Sequence, residues 1–168
     1  MARSRALKGS TDPGSGLGFL LSQVGAHSAA TFADRLGPLG LNPPHVGILR
    51  VVEQADGLSQ QALGEKLGMF PSRLVQILDD LEKRGLVERR DNPSDRRSYA
   101  LHLTDAGRET LAKIEVVTQE HRDALVAALD ESERAQLAGF LSRIAAEQKL
   151  QPGIHPGMRK QGPPSGQC

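Results

Sequence analysis

The chain has 168 residues, a formal net charge of +1 and a single cysteine, Cys168, at its last position. That length suits one domain with a real core, and the small net charge leaves any affinity for a polyanion to local clustering. A lone terminal thiol supports neither a disulfide framework nor a thiolate metal site, and no apolar run reaches the length of about 18 residues that would span a bilayer. The basic start "MARSRALKGSTDPGSG" has no apolar stretch behind it, so no signal peptide is read there and a cytoplasmic protein is expected. Aromatic residues are limited to Phe19, Phe32, Phe70, Phe140 and Tyr99. That is too few for the stacking surfaces that bind single-stranded nucleic acid, but it leaves duplex DNA open.

Residues 1–14 lack periodicity and are expected to be a disordered tail. Leu17, Leu20, Leu21, Val24, Phe32 and Leu36 follow helical spacing, with Gly37-Pro38 as the stop. Pro43-Pro44 opens a second helix carrying Val46, Ile48, Leu49 and Val52. Ser59 is suited to cap a third, "SQQALGEKLG", and Pro71 to open a fourth, "PSRLVQILDDLEKRG", with Gly68 and Gly85 as their ends. The alternation in "LVERR" and "SYALHL" predicts two strands around an Asn92-Pro93 turn. Thr104 is placed to cap a long helix reaching about Leu129, and Asp130 with Glu133 forms a capping box for the last one. The Pro- and Gly-dense residues 150–168 are expected to be a second disordered tail. The predicted order is ααααββαα, mainly α with a small β-hairpin.

Residues 59–85 pair two helices across "GMF", a connection of helix-turn-helix length. On a helical wheel, Leu74, Ile77, Leu78 and Leu81 of the second helix point inward, while Ser72, Val75, Gln76, Asp79 and Lys83 point out, with Arg73 and Asp80 at the flank. A free face of small and hydrogen-bonding residues suits a helix that enters a major groove. Gln76 could read adenine, Val75 could meet a thymine methyl, and Ser72 could hold a phosphate. The DNA-contacting set read here is Ser72, Arg73, Val75, Gln76 and Asp79, with Ser59 and Gln60 against the backbone. Two amphipathic helices joined by a tight turn also occur in many all-α proteins. The hairpin that follows, with Arg89-Arg90 and Arg96-Arg97 around its turn, makes the winged form of the motif, whose tip can reach the minor groove.

The block "LSQQALGEKLGMFPSRLVQILDDLEKRGLVERRDNPSDRRSYALHLTDAG" resembles the winged-helix core of the MarR family of bacterial transcriptional regulators. The junction "LEKRGLVERR", the wing "DRR" and the strand end "LHLTDAG" carry the resemblance. It implies that Arg97 enters the minor groove and that Asp95 orients it. Arg96 and Arg90 are read as phosphate partners, and Arg89 as a bystander paired with Glu88 or Asp91. Solvated surface arginines are the alternative for all of them. The chain departs from the family pattern at the N-cap, where Phe70 stands in place of Asp, Ser or Thr and is expected to act as a hydrophobic staple. It departs again at Val75-Gln76, where many members carry Thr or Ser followed by Arg, so no operator sequence carries over.

The resemblance also implies dimerisation through the first helix and the last two. The expected division is a dimerisation helix at 15–37, a DNA-binding domain at 43–103 and further dimerisation helices at 104–149. A two-fold dimer would bind a pseudo-palindromic operator as a ligand-responsive repressor. The alternative for these helices is an intramolecular bundle. A small aromatic or anionic effector is the ligand class implied, with His27 and His45 as pocket candidates, although such histidines are also common at helix surfaces and starts. The five histidines show no ligand spacing and no cofactor or metal is expected. GxSxG, HExxH and GxxxxGK[ST] are all absent, so no enzyme is read. The competing reading is a winged helix for protein contact or for architectural DNA binding without sequence preference.

Overall fold

A computed structural model of the chain describes residues 16–92 and 99–155. Helix α1 (Leu17–Leu36) runs into a 3-10 turn at Gly37–Leu39, and Gly40 then takes the left-handed conformation that lets the chain reverse. Helix α2 (Pro43–Gln54) starts at a capping box in which Asn42 and His45 bond to each other's backbone amides. Strand β1 (Leu58–Ser59) leads into α3 (Gln60–Leu67), whose cap is the Ser59 hydroxyl accepting from the Ala62 amide. Helix α4 (Pro71–Lys83), strands β2 (Val87–Asp91) and β3 (Tyr99–Leu103), and helices α5 (Asp105–Leu125) and α6 (Glu131–Glu147) complete the described order.

Several expected boundaries follow from side chains that act locally, and the structure places them where the sequence does. Thr104 accepts from the Gly107 amide, and Asp130 and Glu133 form their capping box. Three expectations are corrected. The hairpin is part of a three-stranded antiparallel sheet of order β1-β3-β2, because Leu58 pairs with Leu101 and Ser59 with Ala100. Two residues carry no readable alternation, so β1 has no sequence signal. Helix α5 ends at Leu125 rather than near Leu129, and the Leu129 amide closes a turn onto the Val126 carbonyl. The tail expected from residue 150 is ordered at its start, since the Leu150 amide bonds to the Ala145 carbonyl and the Ile154 amide to that of Gln151. Residues 1–14 and 156–168, also read as tail, lie outside the described residues.

One core joins α1 to α5: Leu36, Ile48, Leu49, Leu63, Leu67, Leu74, Leu78, Leu81, Leu101, Leu103 and Ile114 are all fully buried. Each such side chain stabilises the fold by about 1.5–3 kcal/mol relative to exposure. Two glycines let backbones approach closely. A Cβ on Gly107 would lie 2.1 Å from the Leu86 carbonyl oxygen, so the start of α5 can rest on the strand entrance only as glycine. A Cβ on Gly64 would lie 3.2 Å from Leu74 Cδ2, which sets how tightly α3 packs on α4. Thr104 secures the same corner by donating to the Gly85 carbonyl at 2.6 Å.

The periphery is different. Among the described residues, α6 contributes nothing to the core, and Leu137, Phe140, Leu141 and Ile144 stay exposed along it. They face Leu17 and Leu21 of α1 across an apolar cleft, and Leu20 and Val24 extend the open surface.

Candidate nucleic-acid interface

The helix pair α3–α4 is joined by a turn in which left-handed Gly68 and the Met69 amide bond back to the end of α3. Phe70 occupies the N-cap of α4 and offers no side-chain acceptor, while Pro71 at the first position has no amide to satisfy. The start of α4 therefore has no side-chain cap from Phe70 and lies at the positive end of the helix dipole. Phe70 is 50% exposed, so the expected staple is not its role; buried Met69 is the apolar residue that packs at this entrance. Beyond it, Leu74, Leu78 and Leu81 are buried and Ile77 half-buried, whereas Ser72, Arg73, Val75 and Gln76 are exposed. The inward and outward faces thus fall as the wheel predicted. Ser59 and Gln60 are half-buried at the start of α3, with the Ser59 hydroxyl already engaged as the cap.

The wing strands pair in register from Val87↔Leu103 to Asp91↔Tyr99. Asp95, Arg96 and Arg97, read from the sequence as wing residues, lie outside the described residues. Strand alternation puts Val87 and Arg89 on one face of β2 and Glu88 and Arg90 on the other. Arg90 pairs with Glu88 on the solvent side. Arg89 does not pair with Glu88 or Asp91 as expected. It turns under the recognition helix, donates to Asp79 Oδ1 at 2.7 Å and pairs with Glu82, and its side chain is only 18% exposed. Asp79, read as a DNA-contacting residue, is thus held by the wing strand. The third carboxylate of α4, Asp80, accepts from Arg84 Nε at 2.8 Å and lies 3.3 Å from His45 Nε2.

The two histidines assigned to an effector pocket are far apart in role. His45 is a correction: it is buried, and its Nδ1 accepts the Asn42 amide at 3.1 Å, which leaves Nε2 to carry the proton toward Asp80. Burial pushes its pKa below the ordinary histidine value, opposed by Asp80 and assisted by Arg84. Here it acts as a capping and bracing residue. His27 is exposed on α1 and lines a small hollow of about 100 Å³ with Thr31, Arg35, His121, Ala124 and Leu125. His121, missed as a site residue because its neighbours come from α1, bonds to Ser28 Oγ at 3.1 Å and packs on the Phe32 ring. Its pKa is lowered by burial and by the nearby Arg35 and His27. Among the described residues no group of three His, Cys, Asp or Glu side chains could hold a metal ion, and no helix is long and apolar enough to cross a membrane.

Known proteins share this arrangement. The model of the MarR family matches residues 39–98. The transcriptional repressor Rv2887 of Mycobacterium tuberculosis is 30% identical over 131 residues, 78% of this chain and 94% of the relative. The chain belongs to the MarR family. It is a winged helix-turn-helix transcriptional regulator. A regulatory protein for the hcr operon of Thauera aromatica is 37% identical over 105 residues, covering 62% of this chain and 63% of that protein. Among solved structures, the repressor CouR bound to a 23-mer DNA duplex superposes with a TM-score of 0.70 at 32% identity, covering 83% of this chain and 99% of CouR. Rv2887 in complex with salicylic acid superposes with a TM-score of 0.62, at 30% identity and covering 77% of this chain and 96% of that one.

Proposed function

We propose that this MarR-family regulator is a homodimeric repressor that binds a pseudo-palindromic duplex operator and releases it on binding a small aromatic or anionic effector. The observation that carries the reading is the sorting of α4, which buries Leu74, Leu78 and Leu81 while leaving Ser72, Arg73, Val75 and Gln76 exposed. Such a face is built to contact base edges and phosphates. CouR, bound to a DNA duplex, supports the same use here.

The open apolar surface of α1 and α6 supports dimerisation. A two-fold dimer would set two recognition helices about one turn of DNA (~34 Å) apart. The wing tip then supplies Arg97 to the minor groove with Asp95 orienting it, while Arg96 and Arg90 hold phosphates. For an anionic effector, Arg35 at the α1–α5 hollow is the cationic partner, and His27 and His121 beside it offer ring nitrogens for hydrogen bonds. The complex of Rv2887 with salicylic acid supports that ligand class. The place of action is the cytoplasm, with the DNA.

Selection of genomic fragments by the purified protein tests the reading. A recovered inverted repeat is expected, with binding that weakens steeply as salt rises. Arg97→Ala should weaken it by about 1–3 kcal/mol, and Gln76→Ala should relax preference at one position per half-site. Affinity that survives scrambling of the duplex would mark an architectural binder instead, and a flat salt dependence would point to a protein partner.

A further inference from the structure

The recognition helix carries three carboxylates, Asp79, Asp80 and Glu82, although it is the element that must approach a polyanion. Asp80 is turned toward α2 and held by Arg84 and His45. Asp79 and Glu82 are different. They are three residues apart on one face. Asp79 is also one turn along from Val75 and Gln76, so it continues their side of the helix, half-buried under Arg89. Both are covered by a single guanidinium, that of Arg89, which comes from the wing strand and is mostly withdrawn from solvent.

We infer that Arg89 is a positioning residue for DNA binding. It acts through Asp79 and Glu82, whose charge it offsets at the DNA face while it ties strand β2 to helix α4, and it does not touch the DNA. The inference rests on the duplex-binding reading above. With Arg89 in place the trio carries one net negative charge; without it, two. An uncovered carboxylate at the DNA face would offset one cationic phosphate contact, and one such contact at physiological salt corresponds to roughly a fivefold change in affinity. The fork geometry also links the wing to the helix. Tip and helix then present to one duplex as a unit rather than as two independent contacts.

The test uses the full chain and a duplex recovered by selection with the unaltered protein. Arg89→Met keeps the aliphatic stem and should weaken binding by roughly fivefold. Adding Asp79→Asn and Glu82→Gln to that variant should restore affinity to within about twofold, because no carboxylate then needs covering. Arg89→Lys, which keeps the charge, should retain most of the binding. If the triple variant stays as weak as Arg89→Met, Arg89 contacts DNA directly and the inference fails. It also fails if Arg89→Met binds like the unaltered protein. Should Arg89→Met not fold, as read by thermal unfolding without DNA, Asp79→Asn/Glu82→Gln alone decides. Equal or tighter binding supports the inference, and weaker binding overturns it. A protein that selects no duplex at all overturns the DNA-binding reading itself, which separates the two failures.

Discussion

The winged lobe and the outer helices use the same sequence signal to opposite ends. In the lobe, the stripe Leu74, Leu78 and Leu81 disappears into a core shared with Ile48, Leu101 and Ile114. In α6, the stripe Leu137, Phe140, Leu141 and Ile144 has comparable spacing, yet every one of these residues remains exposed. Amphipathic periodicity reports that a face wants covering; it does not report whether the cover comes from the same chain. The lobe is closed within one chain, whereas the apolar face of α6 is left open, which the proposed dimer would cover. In the proposed dimer the lobe would do the reading and the outer helices the association.

Truncation should separate the two regions most sharply. Leu78→Ala removes a fully buried side chain and should cost about 2–5 kcal/mol in urea unfolding, independent of protein concentration. Gly107→Ala probes the corner that joins the regions. Its added methyl collides with the Leu86 carbonyl, and a loss of about 1–3 kcal/mol in the same assay is expected. Leu141→Ala should give a smaller change that grows on dilution, because its stabilisation comes through association. A midpoint that ignores concentration would break the comparison and return α6 to an intramolecular bundle.

The smallest effect concerns His45, which braces the lobe against α4. Its folded-state pKa is lowered, mainly by burial. Its contribution is therefore fully present above the ordinary histidine value of about 6.5 and is lost as pH falls below it, where the unfolded chain takes up the proton more readily. Melting temperatures should accordingly decline on acidification. His45→Gln, which can keep the capping box, should flatten part of that decline. An unchanged slope would remove His45 from the acid response.

Much of the fold was legible because its signals are local. Ser59, Thr104 and the Asp130–Glu133 pair mark helix starts through bonds to amides three residues away, and Pro71 does so through its fixed φ and missing amide, wherever the rest of the chain goes. The exposed face of α4 was legible for a related reason: once Leu74, Leu78 and Leu81 turn inward, helical geometry sends Ser72, Val75 and Gln76 outward. The site itself was legible only in part. Arg89 was read beside its sequence neighbours Glu88 and Asp91, whereas its partner Asp79 is ten residues away on another element. The signal that could have found it was the Asp79–Glu82 spacing, two carboxylates on one helix face followed by a strand of the right parity. His45 was read as a pocket candidate because nothing nearby in sequence reveals that Asp80 will pack beside it.

The sequence alone therefore determined where the helices begin, which face of α4 is apolar and how β2 and β3 alternate, since caps, wheels and pleats act over a few residues. Only the tertiary structure decided that β1 joins β3, that Arg89 covers Asp79 and Glu82, that His45 is sealed beneath α4, and that α6 is left uncovered. Each of these depends on which distant surfaces meet, and packing of the whole core settles that where no local propensity can.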